Sequence, residues 1–187
     1  PDLRLHPIHE FSKWYSAAMK RKSLISKWNQ NKKTRYSVFE NQLCNYLNAT
    51  RGLHIKPKNV ISTRSTEMSL YIISQLLIRP KEVVLVGNLS NYAANMIFQQ
   101  SGASIKKIPV DEQGLNVDYI RTHFTKGAIR CVYICTNRDY PTTVSLSAER
   151  RLKLLQLAKE YQFAIIEDDY DYDFQFEGLA MLPMASG

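Results

Sequence analysis

In Phe163-Ala164-Ile165-Ile166-Glu167-Asp168-Asp169-Tyr170-Asp171-Tyr172-Asp173-Phe174, a short apolar run gives way at once to carboxylates and tyrosines. The run has the length and branching of a buried strand, although periodicity alone also admits a buried helical turn. Acids gathered at the C-terminal end of such a strand stand where open α/β sheets place their ligands. Taken alone, the same acids also suit a solvated acidic loop. The flanking sequence decides between the two.

Upstream of that run, apolar segments alternate with helical patterns. Val83-Val84-Leu85-Val86 reads as a buried strand, Tyr92 to Gln100 as a helix closed by Ser101-Gly102, and Ser104 to Val110 as a strand. Asp111 to Gly114 is a turn, Val117 to Phe124 a short helix, Arg130 to Cys135 a strand, and Ser147 to Tyr161 a helix. Ser147-Ala148-Glu149-Arg150 has the form of a helix cap. Strands separated by helices of this length mean βαβ units, a mainly parallel sheet and helices on both of its faces. The fold class is therefore α/β.

Before Val83, Met68, Leu70, Tyr71, Ile73, Leu76 and Leu77 define a helix that stops at Arg79-Pro80, as the restriction on a residue before proline dictates. The hydroxyl-rich turn Ser62 to Glu67 opens it. Free backbone N–H groups and the positive end of the dipole make such a turn an anion site, and they are equally the ordinary means of capping a helix. Further upstream, residues 8 to 28 carry helical apolar spacing with a break near Ser23, Asn29 to Thr34 is polar and loop-like, and Val38 to Leu47 marks a second helix. Arg51-Gly52 ends it in the manner of a glycine C-cap.

With 187 residues and 44% hydrophobic content, the chain suffices for one domain with a sizeable core, or one domain and part of another. No apolar run reaches the length of a membrane span, and Pro1-Asp2-Leu3-Arg4 lacks the apolar core of a secretory signal. Cys44, Cys131 and Cys135 have no metal-site spacing, and the last two flank Val132-Tyr133-Ile134 as buried thiols would. A cytoplasmic compartment fits this cysteine usage. The net charge of +8 lies largely in the first sixty residues. It reads as a solvated basic face, since no base-reading helix-turn-helix, zinc finger or RNA-binding aromatic pattern accompanies it.

Tyr140-Pro141-Thr142-Thr143-Val144-Ser145-Leu146-Ser147-Ala148-Glu149-Arg150-Arg151, followed by Ile165-Ile166-Glu167-Asp168-Asp169-Tyr170-Asp171, closely resembles the fold-type I pyridoxal 5'-phosphate (PLP) enzymes. More narrowly it looks like the aminotransferase-like domain of MocR-type regulators, in which a winged-helix DNA-binding domain of the GntR kind comes first. Arg51-Gly52-Leu53, Thr63 to Met68, Asn91-Tyr92 and Pro109-Val110-Asp111 fall in that family's order, so the likeness covers nearly the whole chain. The resemblance implies that Asp168 pairs with the pyridine nitrogen of PLP and keeps it protonated. It implies that Tyr170 hydrogen-bonds the ring's 3-oxygen, that Tyr92 stacks on the ring, and that Ser65, Thr66 and Glu67 hold the phosphate. Tyr140 falls where many relatives place a further polar contact.

The resemblance also sets the expected organisation. Residues 1–50 are N-terminal helices of the small domain or dimer contact, and 51–187 are an incomplete PLP-binding large domain. The Schiff-base lysine is expected beyond Gly187, since no lysine follows Lys159, and the DNA-binding domain upstream of Pro1. Implied partners are an amino-acid-like small molecule and a second copy of the chain, with DNA met only through the absent domain and no membrane. Two departures stand out. Ser65 occupies a position where relatives carry glycine, which a positive φ would strain. The segment Trp28 to Arg35 lacks the glycines of the relatives' substrate-facing loop. The rival readings are a fragment of a true class I and II aminotransferase and a cofactor-free relative that serves as an interaction module.

Overall fold

The computed structural model describes Arg4 and residues 6–21, 32–174 and 181–187, residues 32–37 by backbone alone. The chain divides into two compact units, Pro1–Thr50 with His54–Ser62, and Arg51–Leu53 with Thr63–Gly187.

The second unit is built on four strands, β1 (Val83–Gly87), β2 (Ser104–Ile108), β5 (Ile129–Ile134) and β6 (Ala164–Glu167), in the order β2-β1-β5-β6 with all neighbours parallel. A two-stranded antiparallel ribbon, β3 (Val110–Asp111) with β4 (Gly114–Leu115), lies apart from the sheet. The helices are α3 (Thr66–Leu77), α4 (Tyr92–Gln100), α5 (Asp118–His123) and α6 (Ala148–Tyr161).

A parallel sheet covered on both faces needs strands that are apolar on both sides, and the central strands meet that need. Val84, Val86, Cys131, Tyr133 and Ile166 pack with Leu70 of α3 and Ala94 and Phe98 of α4. Leu85, Val132 and Ile134 face the other way, toward Ile120 of α5 and Leu154, Leu157 and Tyr161 of α6. Ile129 belongs to this second cluster although its odd number should place it with Cys131. The register explains this: Val83 pairs with Ile129 but Val84 with Cys131, so Arg130 is one residue too many, and the parity of the strand reverses there. At the sheet's edge, β2 presents Lys106 and Lys107 to solvent, charges that discourage pairing with a further chain.

Local signals set the helix starts. Ser147 caps α6 by accepting from the Arg150 N–H at 3.4 Å, and Asn91 Oδ1 caps α4 by accepting from Ala93 and Ala94 at 2.9 and 3.3 Å. Arg150 ties the ribbon to α6: its guanidinium spans both carboxylate oxygens of Asp111 at 2.7 Å and donates to the Gly114 carbonyl at 2.7 Å. That bond pattern holds the Asp111 carboxyl below its ordinary value.

In the first unit, α1 (Ile8–Met19) buries none of its residues. α2 runs from Lys32 to Arg51 and ends where Gly52 takes a φ of +61°, the left-handed conformation that glycine adopts at least cost. Asn48 caps the returning chain, with Nδ2 donating to the Ile55 carbonyl at 2.9 Å and Oδ1 accepting from the Ile55 N–H at 3.0 Å. Lys32 to Thr34 lie in α2, not in a loop as their polarity suggested. Polarity is no obstacle to a helix: lysine and arginine are good helix formers, and no glycine or proline interrupts the segment. The helical reading of residues 22–28 and the loop reading of 29–31 lie outside the described residues.

Candidate functional site

In the sheet order, β1 is flanked by β2 on one side and β5 on the other, so the chain reverses its direction of growth there. Ligands in such sheets bind beyond the strand carboxyl ends near that reversal. The carboxyl end of β6 and the N-termini of α3 and α4 here enclose a cleft of about 510 Å³. Asp168, Tyr170, Tyr92, Thr66, Glu67 and Tyr140 all line it. Ser65 lies next door, in a cleft of about 350 Å³ that shares Thr66 and Asp168 with the first. The seven residues singled out by sequence are thus brought to one region of the second unit.

Asp168 is the first residue past β6, and its N–H donates to the Ile134 carbonyl at 2.9 Å, extending the ladder by one step. Its Oδ2 accepts from Tyr133 Oη at 2.8 Å. Tyr92, the first residue of α4, is 75% exposed and so presents its ring rather than packing it in a core. Tyr140, next to the cis bond to Pro141, is also exposed. Tyr170 donates its hydroxyl to the Arg138 carbonyl at 2.9 Å, so a ligand oxygen has to compete with that carbonyl. Burial, with the Asp171 charge second, raises the Tyr170 phenol above its ordinary value.

Ser65 is extended, with φ −160° and ψ 166°, and caps α3 by accepting from the Met68 N–H at 3.2 Å. The expected strain of a serine at a glycine position is absent, because the backbone there never enters positive φ. Hydrogen bonds from the Ser65 hydroxyl and from its own N–H lower the Glu67 carboxyl below its ordinary value. Glu67 thereby takes up donors at the α3 N-terminus that an incoming anion also needs.

The other acids of the opening motif, for which sequence offered no role, each hold a distant element. Glu167 accepts from the Thr136 hydroxyl at 2.5 Å and from the Met184 N–H at 2.9 and 3.2 Å. Asp169 accepts from Asn137 at 2.9 Å, and burial raises its carboxyl above the ordinary value against that bond. Asp171 pairs with Arg138 at 2.5 Å. Asp173 pairs with Arg51 at 2.7 Å, and the same guanidinium lies 4.3 Å from the Tyr172 ring centroid. Behind them Arg151, almost wholly buried, donates to the Leu146, Leu182 and Thr136 carbonyls and to Asn137 Oδ1 at 2.9–3.1 Å. Sequence reasoning missed Tyr133, Asn137, Arg138 and Arg151 as supports of this region. The only available hint was that a polar run, Thr136 to Asp139, begins one residue past β5.

Cys131 and Cys135 are buried, as their setting suggested, and burial pushes both thiols up to about 12. They stay protonated at neutral pH and are poor nucleophiles. No helix among the described residues is long and apolar enough to cross a membrane.

This sheet, with its cleft at the carboxyl ends, is the fold of the large domain of fold-type I PLP-dependent transferases. The kynurenine aminotransferase of Pyrococcus horikoshii, solved with PMP (pyridoxamine 5'-phosphate), superimposes with a TM-score of 0.82 and 21% identity over 96% of this chain and 45% of that one. Residues 7–183 match the profile of the aminotransferase class I and II family, and the chain belongs to that family. The probable rhizopine catabolism regulatory protein MocR of Rhizobium meliloti is 26% identical over 136 residues, 73% of this chain and 27% of that protein. Aromatic-amino-acid aminotransferase 1 of Thermococcus litoralis is 24% identical over 147 residues, 76% of this chain and 35% of the enzyme. The chain thus spans about a quarter to a third of these curated relatives.

Proposed function

We propose that this chain is the cofactor-cradling part of the aminotransferase-like effector domain of a MocR-type transcriptional regulator, and that its cleft takes PLP or an amino-acid adduct of it. The observation that carries this reading is the Asp168 carboxylate, anchored from below by Tyr133 and opening into the same cleft as exposed Tyr92 and the α3 N-terminus. These residues fit the group. When bound, PLP supplies an electron sink for amino-acid chemistry. Asp168 holds the proton on the pyridine nitrogen. Tyr92 covers a face of the ring with its π surface and shields it from water. The amides of Ser65, Thr66 and Glu67, once the Glu67 side chain turns away, meet the phosphate at a helix N-terminus. Tyr170 offers its hydroxyl to the 3-oxygen, and Tyr140 closes the rim.

The MocR relative supports the regulatory assignment. In this reading residues 1–50 belong to the small-domain or dimer-contact segment and 51–187 to the large domain. The working unit is a homodimer that senses an amino-acid-like molecule and meets DNA through a separate winged-helix domain. The Thermococcus relative favours a second reading, a catalytic aminotransferase acting on amino acids and 2-oxo acids. A winged-helix reading frame immediately upstream of Pro1 supports the regulator, and its absence together with transamination by the full-length protein supports the enzyme.

Cofactor use is tested with PMP, which needs no lysine to bind. Equilibrium dialysis of the protein against PMP is expected to show saturable binding that Asp168→Ala weakens at least about tenfold, the scale of a hydrogen bond to a charged group. No saturable binding overturns the cofactor reading and leaves the interaction module standing.

A further inference from the structure

Tyr133 is a core residue of β5 that takes part in the cleft without lining it. Its side chain is 3% exposed and its ring meets Phe98 edge-on, with centroids 5.5 Å apart and planes at 64°. Tyr133 pairs with Ile166 across the β5–β6 ladder. Asp168 lies two residues further on, and alternation along the strand brings its side chain to the face where Tyr133 lies. The phenol therefore reaches Asp168 Oδ2 from beneath the cleft floor. Cys135 Sγ, at 3.9 Å, is the weaker acceptor and leaves the proton to the carboxylate.

We infer that Tyr133 is the positioning residue for Asp168: it fixes one carboxylate oxygen and turns the other toward a ligand's ring nitrogen. The inference rests on the cofactor reading above. The choice of a phenol has a physical logic. A hydrogen bond from a neutral donor adds no charge of its own beside the carboxylate. A lysine or arginine in its place would pair with Asp168 and cancel the carboxylate's charge. Among the described residues no Lys or Arg lines the larger cleft, and one arginine, Arg64, lines the adjoining one. Burial, reinforced by Cys135 and Asp168, raises the Tyr133 phenol far above its ordinary value, so it remains a donor throughout the physiological range.

The test compares two probes, PMP and its 1-deaza analogue, in which CH replaces the ring nitrogen. The wild-type protein is expected to prefer PMP. Tyr133→Phe keeps the ring and its contact with Phe98, so it is expected to reduce that preference about tenfold while the analogue's affinity stays the same. In an Asp168→Asn background, which lacks the carboxylate to be positioned, adding Tyr133→Phe is expected to leave the preference unchanged. A preference that survives Tyr133→Phe, or an equal loss for both probes, overturns the positioning role while leaving the cofactor reading intact. A wild-type protein that binds neither probe overturns the cofactor reading and the role of Tyr133 together, whereas one that binds both equally overturns the ring-nitrogen contact of Asp168 and the role of Tyr133 while cofactor binding stands.

Discussion

Replacing Arg151 by Met should be the most damaging single change behind the cleft. The guanidinium makes four hydrogen bonds, at 3.1 Å to the Leu146 carbonyl, 2.9 Å to Leu182, 3.0 Å to Thr136 and 3.0 Å to Asn137 Oδ1. Burial lowers its affinity for its proton, and the charges of Glu167 and Asp169 oppose that effect. At about 1 kcal/mol net per hydrogen bond the loss comes to about 4 kcal/mol. Methionine fills part of the volume but satisfies none of the carbonyls. Urea unfolding followed by far-UV circular dichroism measures the change. With a slope of about 2 kcal/mol per molar, the midpoint should fall by about 2 M at constant slope. Arg151→Lys keeps the charge but not the planar fork and should fall between the two. A Met variant within about 0.5 M of wild type, or a Lys variant equal to wild type, would show that this fork does not hold the acidic stretch.

Three further outcomes are expected. Gly114 has φ +90°, and a Cβ there would lie 2.9 Å from Leu146 Cα; Gly114→Ala should cost about 2–4 kcal/mol and lower Tm by roughly 6–12 °C, and a drop below about 2 °C would refute the close approach. Burial raises the Asp139 carboxyl above its ordinary value against the Thr142 hydroxyl bond, so its ionised form destabilises the fold. Asp139→Asn should therefore stabilise at pH 7, with the gain shrinking as pH falls through the raised folded value toward the unfolded one; denaturation midpoints across that range check the sign, and a gain that grows on acidification contradicts it. Tyr170→Phe should leave stability within about 0.5 kcal/mol, as for an exposed change, yet weaken PMP binding in dialysis; unchanged binding would confine the hydroxyl to its bond with Arg138.

Strands and helices of the second unit were legible because apolar run length and cap residues are local properties. Val83 to Val86, the Ser147 cap and the stop at Gly52 all needed only neighbouring residues. Where partners are distant in sequence, the local pattern does not show the contact. Tyr133 looked like one more buried strand residue, because only the pairing of β5 with β6 brings its hydroxyl to Asp168. Asp171 and Asp173 looked like solvated charge, since their partners Arg138 and Arg51 lie 33 and 122 residues away. The reversal of strand parity at Arg130 left no trace in composition. Lys32 to Thr34 differ for another reason: their polarity suggests a loop, but no breaking residue is present and the helix runs through them.

Of the residues lining the larger cleft, only Leu70 and Ala94 also belong to a buried core cluster. The remainder sit at element ends or in connections, where a change of side chain leaves the packing between sheet and helices untouched. Under the proposed function, ligand preference is therefore free to drift over evolutionary time at Tyr92, Tyr140 or Tyr170 with little loss of foldability. The trade-off between stability and selectivity is concentrated in a leucine and an alanine, and directed evolution of a new specificity in this cleft would meet its resistance at those two positions.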